Sequence, residues 1–182
     1  MVALAPEARL RAVTPPRMLT VAIRTAVVSS GLLAGALVAV LLADLTLQGN
    51  PTGYIAFHQA TTVLYTATLP PLGAMMAISI IVTLVKGRGV PGIRWLLITA
   101  LACGVIGMLV TVLVHFPLNA TIMTWRVGVV PADFVSVAGR WVAAHLVRTV
   151  ITTIAFVLGM IALEMVTRAK PRSASTTRAH SN

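Results

Sequence analysis

Charged residues are scarce in this sequence, and acidic residues are the scarcest of all. Only 10% of the 182 residues are charged, only 4 are Asp or Glu, and 58% are hydrophobic. Soluble globular domains carry about 25% charged residues, so this shortage excludes an ordinary water-soluble domain. A mean hydropathy of +0.94 points in the same direction. The sequence therefore predicts an integral membrane protein.

Cysteine is nearly absent, and the common catalytic motifs are missing. The one cysteine, Cys103, excludes an internal disulfide and a CxxC redox pair. The sequence has no HExxH motif, and no carboxylate stands at metal-ligand spacing from any histidine. Its apolar runs carry no ionisable residue near their centres, which disfavours an ion-coupled transporter.

Long apolar runs are what this sequence has in abundance. Four of them reach the length of about 18 residues or more that is needed to cross a hydrocarbon core. They lie near residues 24–45, 66–86, 94–115 and 146–167. We therefore predict an all-α, integral membrane four-helix bundle.

Basic residues set the expected orientation of this bundle. They cluster before the first run, between the second and third, and after the fourth, whereas the opposite loops carry only Arg126 as a clear base. The positive-inside rule then places both termini in the cytoplasm and the bundle in the cell membrane. The expected parts are a cytoplasmic N-terminal segment at 1–17, a transmembrane domain at 18–168 and a basic disordered tail at 169–182. The net charge of +10 follows from this topology, so membrane lipid is an expected partner and nucleic acid is not.

Prolines predict interruptions in two of the helices. A helix from Gly53 to Lys86 would be about 50 Å long, which is longer than the hydrocarbon core. We expect it to be broken or kinked near Pro70-Pro71, with the preceding residues forming a cap segment at the outer surface. Pro117 is expected to end the third helix.

Counting depth along the helices groups several polar residues. About 20 residues cover a core of roughly 30 Å, and counting from the basic ends reaches Asp44, His115 and Arg148 at the outer boundary. On the fourth helix Trp141, His145 and Arg148 share one stripe, because they stand at i, i+4 and i+7. That stripe should face the bundle, since an arginine facing lipid is costly.

Three histidines from three segments, His58, His115 and His145, are expected in this outer layer. Three neutral imidazoles with an open position could bind iron, copper or zinc, with Asp44 or Asn119 completing or orienting the site. The alternative is that polar side chains simply collect where the membrane interface tolerates them.

Structural roles are also open for the neighbours of these histidines. Trp125 and Trp141 could be aromatic-belt anchors. Arg148 is expected to make a buried contact, with Asp44 or Asp133 as its partner.

The segments HFPLNATI, PADF and RWVAAHLVRT resemble the anthrone oxygenase family of small four-helix membrane proteins. YIAFHQA and LPPLGAM look like that family's second-helix region, and the resemblance covers about residues 53 to 165. The family pattern accepts asparagine where His145 stands, which favours a hydrogen-bonding group over a metal ligand. The residues at pattern positions are Gln59, Pro117, Asn119, Trp141, His145 and Arg148.

This resemblance implies a membrane-embedded oxidoreductase, a monooxygenase acting on a lipophilic aromatic or hydroquinone-like molecule at the extracytoplasmic side of the bundle. In the implied site His145 deprotonates the substrate, Arg148 stabilises the oxyanion and Asn119 orients the ring. The residues expected to contact the substrate are Trp141, Gln59, Asp44 and Pro117.

Other functions remain open at the level of sequence. The reaction is expected to use either no cofactor or one iron or copper ion at His58, His115 and His145. The alternatives to an enzyme are a lipid- or partner-binding membrane module and a b-type haem protein with His115 and His145 as axial ligands. Association with further copies of the chain is also left open.

Overall fold

The protein is described here by a computed structural model that covers residues 17–168. The predicted tail at 169–182, and the N-terminal segment except Arg17, lie outside this range. Within it the chain forms five α-helices and one π-helical turn, with no strand. They are α1 (Arg17–Leu47), α2 (Pro51–Lys86), α3 (Ile93–Val110), the π turn (Thr111–His115), α4 (Phe116–Thr124) and α5 (Phe134–Arg168).

The segments α3, π turn and α4 follow one another directly and form one span, Ile93–Thr124. The described chain therefore has 4 helices that are long and apolar enough to cross a membrane. Large hydrophobic side chains are exposed along all of them, as expected for helices surrounded by lipid. The predicted all-α fold with four membrane-spanning helices is confirmed.

The helices enclose two apolar clusters, one at each end of the bundle. Helix α1 packs against α2 and α5, and α3 packs against α5, whereas α2 contacts α3 more loosely. One cluster includes Ile23, Ile80 and Leu97 near the α2–α3 connection. The other includes Tyr54 and Ile122 at the opposite end. The histidines singled out above pack against Trp141 of this second cluster.

Helix α2 runs without interruption through its two prolines. Asn50 caps its start, because the Asn50 side chain accepts a hydrogen bond from the Gly53 backbone N–H at 3.0 Å, and Pro51 occupies the first turn. Pro70 and Pro71 both lie inside the helix. Helix α2 is therefore one helix, and a kink at the prolines stays a prediction.

Pro117 does not end the third span, and this prediction is wrong. In a regular α-helix the proline ring would collide with the carbonyl of the residue four positions earlier, Leu113. Here the preceding turn is a wider π turn, in which the backbone N–H of Phe116 bonds to the carbonyl of Thr111. The extra width accommodates the proline and leaves His115 buried inside the bundle.

Candidate functional site

Trp141 on α5 stands at the centre of the three predicted histidines. Its ring centroid lies 4.5 Å from that of His58 on α2, 4.9 Å from that of His115 in the π turn and 4.8 Å from that of His145 on its own helix. All four rings are buried. The expected clustering of the three histidines is therefore found, with a tryptophan between them.

His58 forms a buried pair with Asp44, near the end of α1. The Nε2 atom of His58 lies 2.8 Å from Oδ1 of Asp44, and neither side chain is exposed. The carboxylate accepts the Nε2 proton, which leaves Nδ1 of His58 as the nitrogen with a lone pair. The ring of Tyr54 covers His58, with centroids 4.2 Å apart. Oδ2 of Asp44 and the hydroxyl of Tyr54 have no hydrogen-bond partner.

His145 uses both ring nitrogens inside the protein. Its Nε2–H donates to the backbone carbonyl of Leu37 at 2.9 Å, and its Nδ1 accepts from Nη2 of Arg148 at 2.8 Å. The tautomer follows from these partners, because a carbonyl can only accept. His145 thus connects α1 to the guanidinium of Arg148.

Arg148 is held by two neutral partners and makes no ion pair within residues 17–168. Besides its bond to His145, its Nη1 donates to the hydroxyl of Thr111 at 3.1 Å, and its Nε–H has no partner. The prediction that Arg148 pairs with Asp44 or Asp133 is wrong, since neither carboxylate forms an ion pair with it and Asp44 bonds to His58 instead. The guanidinium is a half-buried cation without a bonded counter-ion in the described part of the chain.

His115 is the least engaged of the buried histidines. It is 1% exposed, and neither ring nitrogen has a hydrogen-bond partner. The carbonyl of Val110 is close to the ring but does not meet hydrogen-bond geometry. Buried polar groups are bonded in the great majority of cases, so the ring nitrogens of His115 are available to a polar group bound in the cavity that His115 lines.

A cavity of about 390 Å³ lies beside these residues, between α1, α2, α5 and the span Ile93–Thr124. Pockets for small molecules measure about 300–1,000 Å³, so this volume suits a small organic ligand. Five residues named from the sequence line it: His58, His115, Asn119, Trp141 and Arg148.

A match to a family model covers residues 57–158, which is more than half of the chain and includes every cavity residue just named. The model is that of anthrone oxygenase. The chain belongs to the anthrone oxygenase family. Comparisons with curated proteins and with solved structures found no match. The expected resemblance over about residues 53 to 165 is thereby confirmed.

Four residues that the sequence predicts for the site do not line the cavity: His145, Gln59, Asp44 and Pro117. Gln59 instead donates from its amide nitrogen to the carbonyls of Ile122 at 3.0 Å and Trp125 at 2.8 Å, so it joins α2 to the end of α4. Pro117 is exposed on the outside of the bundle. Their positions in the family pattern are consistent with roles in the fold.

Asn119 and Trp141 act as a pair at the cavity wall. The indole Nε1–H of Trp141 donates to Oδ1 of Asn119 at 2.7 Å, which fixes the plane of the tryptophan that lines the cavity. Trp141 is 5% exposed, so it is not a belt anchor at the surface. Trp125 packs against Phe134 in the outer apolar cluster.

The three histidines do not form the predicted metal-ligand set. Within residues 17–168 no group of three His, Cys, Asp or Glu side chains could hold a metal ion. Each of the three imidazoles packs on Trp141, and both nitrogens of His145 are engaged. The same engagement leaves His145 no free nitrogen for a haem iron.

Sequence reasoning missed two contributors to the site. Thr111 bonds Arg148, and Tyr54 covers His58. Thr111 and His115 are four residues apart in the sequence, but no sequence signal indicates the π turn that links them. Tyr54 lies in the predicted cap segment, where its ring could have been assigned to the surface.

Proposed function

We propose that this protein is a membrane-embedded oxidoreductase that oxidises a lipophilic aromatic or hydroquinone-like molecule with dioxygen. The observation that carries the proposal is the cavity wall, which combines a cation without a counter-ion, Arg148, with an unbonded imidazole, His115. Both are groups that a phenolic or ketonic oxygen would satisfy. Membership of the anthrone oxygenase family supports the same chemistry.

Arg148 is suited to stabilise the negative charge that develops on the substrate oxygen. Preorganised donors aimed at a developing oxyanion make large contributions to catalysis in sites that exclude water. The bonds from Arg148 to His145 and Thr111 hold the guanidinium at the cavity before any ligand arrives. His145 is thus proposed as the positioning residue for Arg148, in place of the direct proton transfer expected from the sequence.

His58 is the residue that we assign as the base. Asp44 bonds its Nε2–H, and a carboxylate in that position fixes the tautomer and stabilises the charge that the ring acquires on taking a proton. His58 lines the cavity and Nδ1 is the nitrogen that Asp44 does not use. Geometry therefore favours His58 over His145 for this role.

The reaction balances with dioxygen alone. The methylene carbon of an anthrone-like substrate gives a proton to His58, and its conjugated oxygen takes the charge beside Arg148. The carbanion adds dioxygen to form a carbon–oxygen bond, and the imidazolium returns the proton to the peroxide. Loss of water then leaves a carbonyl group. One oxygen atom enters the product and the other leaves as water.

The cavity also bears on the main alternative. A module that only binds a partner protein requires no internal space, whereas the cavity beside Trp141 suits a small molecule. We propose further that the bundle is placed in the cell membrane with both termini in the cytoplasm.

The test is turnover of an anthrone by protein purified in detergent, followed by oxygen consumption and by absorption of the anthraquinone product, with the autoxidation rate subtracted. Asp44→Asn keeps an oxygen for His58 but removes the charge, and we expect its rate to fall about 10²- to 10⁴-fold. Asp133→Asn is the matched control, because Asp133 is exposed and does not line the cavity. Equal rates for both variants and the wild type would contradict the assignment.

A further inference from the structure

We propose that the ligand of this cavity is amphiphilic, with an oxygenated aromatic head and a hydrocarbon tail that lies along α2 and α3. This inference rests on the proposed function for the identity of the head. It adds the tail, and with it a substrate class: alkyl- or prenyl-substituted phenols and hydroquinones that are dissolved in the bilayer. The shape, polarity and opening of the cavity carry the argument.

The cavity wall is divided into a polar and an apolar end. On the span Ile93–Thr124 the polar members come late, at Thr111, His115 and Asn119, and the members before them are apolar, such as Leu101 and Val105. Helix α2 runs in the opposite direction and shows the opposite order, with its polar residues first. Its later cavity residues are Leu69, Pro70, Gly73, Ala74, Met76 and Ala77. Both walls therefore have their polar residues at the same end of the cavity.

The cavity is long. Leu101 and His115 both line it, and the helical rise of about 1.5 Å per residue separates them by about 21 Å. A ligand that reaches both ends of the cavity must therefore be elongated, with an extension beyond its ring system.

The apolar part of the cavity opens sideways between α2 and α3. Several of its wall residues are also exposed on the outside of the bundle, where a spanning helix meets lipid: Ala74, Val105, Met108 and Val112. The loose contact between α2 and α3 leaves this gap. A tail can therefore enter from the bilayer while the head moves towards Trp141 and Arg148.

Gly73 is the residue that keeps the apolar part open. It lines the cavity, and a Cβ atom added at Gly73 would meet nothing within 4 Å. A phenylalanine at this position would occupy the space of the tail without touching the polar end. Gly35 offers a matched control, since it is exposed on α1, also has nothing within 4 Å of an added Cβ and does not line the cavity.

The experiment compares the binding of two ligands, decyl-substituted and methyl-substituted hydroquinone, to the full-length protein in detergent by isothermal titration calorimetry under reducing, oxygen-free conditions. Concentrations refer to the micelle phase, because the tail also changes partitioning. We expect the wild type and Gly35→Phe to bind the decyl compound roughly tenfold more tightly than the methyl compound. Gly73→Phe should remove this difference and keep the weaker affinity for the methyl compound.

Val105→Trp gives a second, independent obstruction from the α3 side, in case Gly73→Phe does not fold. Equal affinities of the wild type for the two compounds, or a preference that survives both obstructions, would overturn the proposal. Turnover is measured separately under oxygen. Tail-dependent binding without turnover would refute the oxidoreductase and leave the ligand class standing, whereas turnover with tail-independent binding would do the reverse.

Discussion

Replacing Arg148 by methionine separates a catalytic role of this residue from a structural one. The change removes the hydrogen bonds to His145 and Thr111 but keeps most of the side-chain volume. The hydroxyl of Thr111 keeps its own bond to the carbonyl of Gly107 at 2.9 Å. One buried acceptor, Nδ1 of His145, is left without a partner, which costs about 1–3 kcal/mol.

A second effect on stability has the opposite sign. Arg148 is a half-buried cation with no ion pair in the described part of the chain, and partial removal of an ion from water costs a fraction of the several kcal/mol of full burial. Methionine removes that cost, so we expect the thermal stability of Arg148→Met in detergent to stay near that of the wild type. The oxidation rate should nevertheless fall about 10²- to 10³-fold, which is the usual loss for one oxyanion donor.

The assay is the initial rate of anthraquinone formation, measured beside a thermal melt of the same preparation. Arg140→Met is the matched control, because Arg140 is exposed on the same helix and does not line the cavity. An Arg148→Met protein that melts normally and retains the wild-type rate would refute the oxyanion role. If Arg148→Met unfolds while Arg140→Met does not, the guanidinium serves the fold.

Two further predictions concern the residues around this site. His145→Asn should keep most of the activity, because an amide can both donate to the carbonyl of Leu37 and accept from Arg148. His145→Leu can do neither, so its rate should fall as much as that of Arg148→Met. Equal losses in both His145 variants would argue against a positioning role. Gln59→Ala removes two hydrogen bonds to the end of α4, so we expect a loss of about 1–3 kcal/mol in stability. The control is Gln48→Ala, because Gln48 is exposed in the α1–α2 loop. Identical melting temperatures for the two alanine variants would show that the hydrogen bonds of Gln59 do not stabilise the fold.

The spans and the polar layer were predictable because they follow from one-dimensional rules. A run of apolar residues long enough to cross lipid is visible in sequence, and so is depth counted from a basic end. That counting selected Asp44, His115 and Arg148 from three separate helices. The structure brings His115 and Arg148 to one cavity and places Asp44 behind it, bonded to His58.

The pairing of these groups could not be predicted in the same way. Which side chain meets which depends on the rotation of each helix about its axis, and sequence spacing does not give rotations between different helices. Judged by depth alone, Asp44 could bond to either Arg148 or a histidine. The packing of α1 against α2 brings it to His58. The π turn is a similar case, because one wide turn changes the direction of every later side chain in its span.

The separation of Asp44 from Arg148 has an electrical consequence for a reaction inside a membrane. The resting site contains one anion and one cation, so it is neutral. In the proposed reaction, transfer of a proton from a neutral substrate to His58 would create one more charge of each sign, the positive one beside Asp44 and the negative one beside Arg148. No ion has to enter from water, and no net charge crosses the bilayer. Turnover should therefore be independent of the membrane potential, which would otherwise contribute about 2.3 kcal/mol per charge at 100 mV.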